Sequence, residues 1–281
     1  MIDLHAHTTE SDGTCAPAQL IAEALRAGVS VLGITDHDTF AGYDAARAPA
    51  NAAGVDLVCG IELSTKLHGY SVHLLGYFLG DGGLVEFREW VLGQQASRRE
   101  RNVRLVARLQ ELGCKITLEE AEARGRGMTG RPHFAQLLVE KGYVPNLRQA
   151  FDEYLDESAK GYVYRLEPQF AEGVSRIRKA GGIASLAHPV RVRGNITAMM
   201  AELCAAGMNA IEAYHSDHGA KETTQYLALA RRYGLLVTGG SDFHGDAKPG
   251  VKLGTGCGGN LNIPSDLVER LRESVGYEPS A

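Results

Sequence analysis

The sequence has no C-x-x-C pair and no even set of cysteines. Its five, Cys15, Cys59, Cys114, Cys204 and Cys257, are scattered. That argues against a disulfide framework or a cysteine-rich zinc site, and for reduced thiols in the cytosol. No apolar run approaches the length of a membrane span, and no basic segment followed by an apolar one precedes the first predicted strand, so neither an anchor nor a leader is expected. Positive charge is not in excess: the formal charge is −5 and the pI about 6.1. No overall basic field is available for a long nucleic-acid track or a membrane surface, and any anionic substrate must be held locally. Internal repeats and low-complexity linkers are missing too. The glycine-rich stretches Gly239-Gly240 and 254–259 lack the Gly-Lys-Ser/Thr of a Walker A loop, and no Ser-His-Asp arrangement stands out. The chain reads as a soluble cytoplasmic protein.

What is present is an ordinary globular composition and a pattern of histidines. With 281 residues, 44% hydrophobic and 22% charged, the chain can bury a large core as one domain, or as one domain with a small insertion. Near its start stands His5-Ala6-His7. If residues 2–7 form a strand, the period of two puts both imidazoles on one face, within reach of one ion, and a loop can turn Asp12 toward a neighbouring ion. A lone His-x-His is weak evidence, so the rest of the chain must decide.

The first third alternates strand and helix. Residues 16–27 are a predicted helix between Pro17 and Gly28, and 29–35 a β-branched strand ending in Thr35-Asp36-His37-Asp38. A helix over 38–53, a strand over 55–63 delivering Glu62, and a strand over 69–78 carrying His73 follow. From about 97 to 172 clear β-runs vanish, and short helices are expected near 97–112, 118–124, 132–141 and 146–154, with Gly125, Gly127 and Gly130 in the loops. Alternation then resumes: helix 168–180, strand 183–187 closing on His188-Pro189, helix 196–206, strand 208–214, helix 221–233 and strand 235–240, capped by Ser241-Asp242-Phe243-His244. A short strand within 253–262 and a helix over 264–275 end the chain. Such alternation implies an α/β fold, a mostly parallel sheet or barrel with its site at the strands' C-terminal ends. Residues 1–98 and 173–281 are expected to form it. The insertion, 99–172, reads as a helical cap over the site, or as helices that only pack on the barrel.

Six of the ten histidines and three carboxylates fall where predicted strands end: His5, His7, Asp12, His37, Glu62, His73, His188, Asp242 and His244. One strand-end histidine is more often a hydrogen-bonded core or loop residue than a ligand, but nine such positions on at least six strands are hard to explain that way. Imidazole and carboxylate without thiolate suit Mn²⁺, Fe²⁺ or Zn²⁺, and nine ligands are too many for one ion. A cluster of two or three divalent ions is inferred, with Mn²⁺ preferred. Clustered dications make hydroxide available from a bridging water and clamp a phosphoryl group, so phosphoester hydrolysis is the expected reaction.

These residues, taken as the ordered motifs His5-Ala-His7, Asp12, Thr35-Asp-His-Asp38, Gly60-Ile-Glu62, His73, Ala187-His-Pro189 and Ser241-Asp-Phe-His244, resemble the polymerase and histidinol phosphatase (PHP) superfamily. The resemblance covers the chain apart from the insertion. It implies a distorted (β/α)₇ barrel with a trinuclear centre. By analogy His5, His7, Glu62 and Asp242 would hold the first ion and Asp12, His37 and His244 the second; a bridging Glu62 with His73 and His188 would hold the third.

Substrate choice must come from the surroundings. Thr129-Gly-Arg131-Pro-His133-Phe134 opens a predicted helix in the insertion, so Arg131, His133 and free N–H groups are placed to meet a phosphate, or are simply a solvated helix start. Arg191 and Arg193 are a second basic point, or two exposed loop arginines. His215 and His218 are candidates to bind phosphate or to protonate the leaving oxygen, with a structural role equally open. Together with Ile211-Glu212-Ala-Tyr214-His215, the insertion is similar to stand-alone PHP enzymes that act on nucleotides, the 3′,5′-nucleoside bisphosphate phosphatases and 5′-to-3′ oligoribonucleases. A small nucleotide, or a short RNA, is the implied partner, its second phosphate serving as a handle. Another phosphomonoesterase, such as a histidinol-phosphate phosphatase, and a non-catalytic metal-stabilised module are the alternatives.

Overall fold

The computed structural model describes residues 1–79, 84–125 and 128–276. Seven strands form one sheet in sequence order: β1 (Ile2–Ala6), β2 (Val31–Ile34), β3 (Asp56–Leu67), β4 (Tyr70–Phe78), β5 (Ile183–Leu186), β6 (Ala210–His215) and β7 (Leu236–Gly240). Neighbours pair in parallel except around β4, which is antiparallel to β3 and to β5. Just past β7 the sheet nearly closes on itself: Asp242 N–H donates to His5 O at 2.8 Å, His7 N–H donates to Phe243 O at 2.9 Å, and Ala6 bridges Phe243. This is the expected distorted seven-stranded α/β barrel.

Helices α1 (Pro17–Ala27) and α2 (Ala41–Ala53) connect the first three strands. Between β4 and β5 the chain runs through α3 (Leu84–Glu111), α4 (Leu118–Gly125), α5 (Arg131–Glu140), α6 (Leu147–Ala150), a π-helical turn over Phe151–Leu155, and α7 (Phe170–Lys179). Helices α8 (Ile196–Ala205), α9 (Ala220–Tyr233) and α10 (Leu267–Ser274) follow β5, β6 and β7. Local chemistry sets many of these ends. Pro17 opens α1, where a missing N–H costs nothing, and Gly28 stops it at φ 74°, a conformation a Cβ would resist. β1 is buried along its whole length, as a parallel strand covered on both faces must be.

Several elements depart from expectation. β3 does not end at residue 63 but runs to Leu67, because β4 pairs with it residue by residue from Leu67↔Tyr70 to Cys59↔Phe78. Its polar run Ser64-Thr65-Lys66 hides the strand in sequence, yet all three are buried. The turn between the two strands, His68-Gly69, has positive φ at both residues, as a two-residue hairpin of this hand needs. Helix α2 starts at Ala41 rather than 38, since Asp38 sits at φ 51°. The helix expected from 97 starts at Leu84. In place of one strand within 253–262 there is a minimal hairpin, β8 (Val251–Lys252) and β9 (Gly256–Cys257). Gly127 lies outside the described residues.

Helix α3 spans two separate cores. Its first turns bury Phe87 and Val91 in a cluster with barrel residues such as Phe78 and Ile177. Its last turns place Leu105, Val106 and Leu109 with Phe134, Leu137, Leu138 and Leu155 in a cluster drawn wholly from the insertion. Each fully buried Leu or Phe contributes about 1.5–3 kcal/mol, so both halves of α3 are firmly held. Among the described residues no helix is long and apolar enough to cross a membrane.

Candidate metal centre

The nine predicted ligand positions converge at one end of the barrel. His5 lies on β1, His7 just beyond it and Asp12 in the following loop; His37 follows β2, His188 follows β5, and Asp242 and His244 follow β7. Glu62 is mid-strand on β3, and His73 lies near the start of β4. Because β4 runs backwards, its early residues face the same end as the others' late ones. Antiparallel pairing sets His73 opposite Ser64, and the period of two then places Glu62, Ser64, Lys66, Ser71 and His73 on one face.

Glu62 is the hub. Its Oε1 lies 2.7 Å from His73 Nδ1 and 2.8 Å from His188 Nε2; its Oε2 lies 3.1 Å from His5 Nε2, 3.0 Å from His7 Nε2 and 3.4 Å from His37 Nδ1. Asp242 Oδ1 completes the His5–His7 face at 3.6 and 3.4 Å. Asp12 meets His244 Nε2 at 3.2 Å and His37 Nε2 at 3.7 Å. Ligands about 2.1 Å from one ion, at octahedral to tetrahedral angles, lie roughly 3.0–3.4 Å from each other. The spacings within these groups, 2.7–3.7 Å, scatter around that shell. The buried atoms His7 Nε2 and His37 Nδ1 make no hydrogen bond, another mark of donors meant for a cation.

Electrostatics agree. Burial opposes charge on His5, but Glu212, Glu62 and Asp242 outweigh it and hold its pKa well above the ordinary imidazole value. Burial likewise opposes charge on His7, yet Asp242, Glu62 and Asp12 raise it to about 9. Burial keeps His37 and His188 neutral, at about 3 and about 4. The carboxylate field thus demands positive charge at this point, from protons or from metal ions. Strain gathers here too: of four non-glycine residues at positive φ among those described, Asp38, His188 and Asp242 border the centre.

A cavity of about 340 Å³ opens over the centre, between the barrel and the helices of the insertion. Of the residues considered for substrate, Arg131 and Arg191 line it. Arg191 pairs with Asp217 and reaches Asp242 Oδ2 at 3.0 Å, whereas Arg193 stacks over Tyr70 away from the cavity lining. His133 does not line it: the ring is buried, its Nδ1 accepting the Gly130 N–H at 3.0 Å and capping α5. His215 and His218 lie behind the centre. His215 Nδ1 accepts the Asp217 N–H, and its Nε2 stands 3.6 Å from Asp242 Oδ2. His218 Nδ1–H donates to Ala213 O at 3.0 Å.

Sequence reading missed a basic wall: Lys66, Arg98, Arg101, Arg165 and Lys248 also line the cavity. Asp38 Oδ2 accepts from Arg98 and, at 3.3 Å, from Arg165. Arg101, 5% exposed, has no hydrogen-bond or ion-pair partner among the described residues. Burial, and then Arg98, Arg131 and Arg165 nearby, push it well below the usual guanidinium range. Helical periodicity could have flagged Arg98 and Arg101, three apart on α3 and so on one face, but nothing in the sequence says which way that face turns. Glu212, which the sequence reading quoted within a motif but gave no role, is fully buried on β6 against His5.

Comparison with known proteins places this geometry. The profile of the PHP domain matches residues 3–108. The 5′-3′ exoribonuclease Rnm of Escherichia coli is 35% identical over 264 residues, covering 90% of this chain and 87% of its own. The 3′,5′-nucleoside bisphosphate phosphatase of Chromobacterium violaceum is 31% identical over 264 residues, 90% of each chain. A Bifidobacterium adolescentis structure assigned as a metal-dependent phosphoesterase superposes with a TM-score of 0.84 at 31% identity, over 96% of this chain and 94% of that one. A nearly closed seven-stranded barrel, histidines and carboxylates converging on one glutamate, and full-length relatives that cleave phosphoesters leave one conclusion: the chain belongs to the PHP family and is a metal-dependent phosphoester hydrolase.

Proposed function

We propose that the enzyme removes the 3′-phosphate from nucleoside 3′,5′-bisphosphates, giving a nucleoside 5′-monophosphate and phosphate, with short 5′-phosphorylated oligoribonucleotides as further substrates. The observation that carries this reading is Arg101. A buried guanidinium that makes no ion pair or hydrogen bond among the described residues, with Glu167 acting on it only from beyond ion-pair distance and with Arg131 beside it on the cavity wall, is costly unless an anion meets it. Arg131 donates only to Leu155 O among the described residues, at 3.4 Å. Two arginines without an ion-pair partner among the described residues, on the wall of a cavity over the centre, suit a substrate with two phosphates, one to be cleaved and one to be gripped. The names of the E. coli and C. violaceum relatives support the same class.

In this reading His5, His7, Glu62 and Asp242 hold one ion, Asp12, His37 and His244 a second, and Glu62 with His73 and His188 a third, with Mn²⁺ the native metal. Bound there, such ions supply Lewis-acid stabilisation of the phosphoryl group and water that is acidic near neutral pH. The chain does the rest. Arg101 and Arg131 hold the 5′-phosphate, so that remote binding orients the 3′-phosphate over the centre. Asp38 fixes Arg98 and Arg165 as the rest of the basic wall. Met128, Pro132 and Phe151, also on the lining, face the nucleoside and exclude water. Residues 99–172 act as the cap that encloses the handle phosphate, with residues 1–98 and 173–281 as the barrel beneath.

The test is phosphate release from adenosine 3′,5′-bisphosphate by Mn²⁺-loaded protein, alongside histidinol phosphate, a short 5′-phosphorylated RNA and the Arg131→Ala variant. Rapid conversion to the 5′-monophosphate, lost in Arg131→Ala mainly in kcat/KM, is the expected result. Turnover of histidinol phosphate alone would sink the nucleotide assignment and keep the hydrolase.

A further inference from the structure

Which nitrogen of His5 carries the proton decides whether that residue can bind an ion. Its Nδ1 lies 2.8 Å from Glu212 Oε1, while its Nε2 points to the centre, 3.1 Å from Glu62 Oε2. The second oxygen of Glu212 accepts the backbone N–H of His188 at 2.6 Å. Both carboxylate oxygens are therefore spent, one on a residue of β1 and one on the residue that opens the turn after β5, and Glu212 does not line the cavity. His188 is held at φ 27°, ψ 67°, immediately before Pro189. A side chain rarely adopts that conformation, and the Glu212 contact helps to stabilise it.

We propose that Glu212 is the positioning residue of the metal centre: it keeps the His5 proton on Nδ1, so that Nε2 offers its lone pair, and it pins the His188 backbone so that its ring meets Glu62. The inference rests on the metal-dependent reading above. Another possibility is weaker. His5, Glu212 and His215 approach closely enough to hold an ion among themselves, but that ion would need Nδ1 of His5. A neutral imidazole has one lone pair for a metal, and the Nε2 side offers His7, Glu62 and Asp242 together. One carboxylate behind a metal-binding histidine is a general device for fixing its tautomer; here the same group also secures a second ligand 183 residues away along the chain.

Glu212→Gln tests this. The two N–H groups meet different oxygens of Glu212, and an amide replaces one of those oxygens by an NH₂: either His5 moves its proton to Nε2, or the His188 N–H faces an NH₂. Metal affinity, measured by competition with a chromogenic chelator, is expected to fall roughly 10- to 100-fold. In the Zn²⁺-loaded wild type, ¹⁵N spectra should show the His5 proton on Nδ1, and Glu212→Gln should either lose that signal or shift the His188 amide. Glu212→Asp keeps two acceptor oxygens and should recover part of the affinity, which a merely structural role would not produce. If Glu212→Gln does not fold, the wild-type tautomer and the Asp variant still decide. Wild-type affinity in Glu212→Gln, or a wild-type proton on Nε2, overturns the proposal alone; a wild-type protein that binds no metal overturns the metal-dependent reading with it.

Discussion

Oε1 of Glu62 stands 2.8 Å from Nε2 of His188 although 126 residues separate them. The same carboxylate faces four more imidazoles, those of His5, His7, His37 and His73. Among the described residues no other side chain meets five imidazoles of the centre, so Glu62→Gln should disrupt more than one ion position at once. Metal content by elemental analysis should drop by more than one equivalent. Affinity should fall by more than the roughly 10- to 100-fold typical of an outer partner. A fully loaded Glu62→Gln protein would refute the hub.

Arg101 should influence stability and activity in opposite directions. Arg101→Met removes a buried, unpaired charge, so the protein melts higher in chelator; gains of about 1–4 kcal/mol are known when buried charges give way to apolar groups. The same change should cut kcat/KM for adenosine 3′,5′-bisphosphate roughly 10- to 100-fold, matching a lost bond to a charged group of about 1.5–3 kcal/mol. Hydrolysis of p-nitrophenyl phosphate, which has no second phosphate, should change little. A lower melting temperature would show that Arg101 has a structural partner.

Asp38 ties β3 to α3 and to the segment before α7. Its carboxylate accepts from Arg98 on α3, from Arg165 near the end of the insertion and from the Ser64 N–H at 2.8 Å. Asp38→Asn leaves two buried guanidinium groups under-compensated, and about 3–5 kcal/mol of stability should be lost in urea titration. A loss below about 1 kcal/mol would mean that the arginines find other partners.

Thiol reactivity follows burial. Cys59 is 6% exposed, and desolvation pushes its pKa up to about 12, so at pH 8 it carries almost no thiolate. Iodoacetamide on the native protein should label Cys15, Cys204 and Cys257, which are partly exposed, before Cys59 and Cys114. Peptide mapping checks this, and early labelling of Cys59 would contradict the packing around β3.

Much of the barrel was legible because its signals are local. Pro17 and Gly28 bracket α1, β-branched runs mark the buried parallel strands, and the nine candidate ligand residues stand out as chemically unusual positions. Where partners far along the chain decide the outcome, the reading failed. The polar half of β3 is a strand only because β4 pairs with it. The first half of α3 has a patchy apolar face and is secured by Phe87 and Val91 packing on the barrel.

By itself the sequence determined the alternation of strands and helices, and with it which end of the barrel would gather His5, His7, His37 and His188: strand direction and the period of two leave no freedom there. It did not determine the environment of those groups. His133 and Arg131 are two residues apart, yet one caps a helix while the other faces the cavity. Arg98, Arg101 and Glu212 look like ordinary charged residues until folding removes water from them. Only tertiary structure decided these roles, because the energy of a charge depends on what surrounds it in three dimensions, and those neighbours come from elements tens to hundreds of residues away.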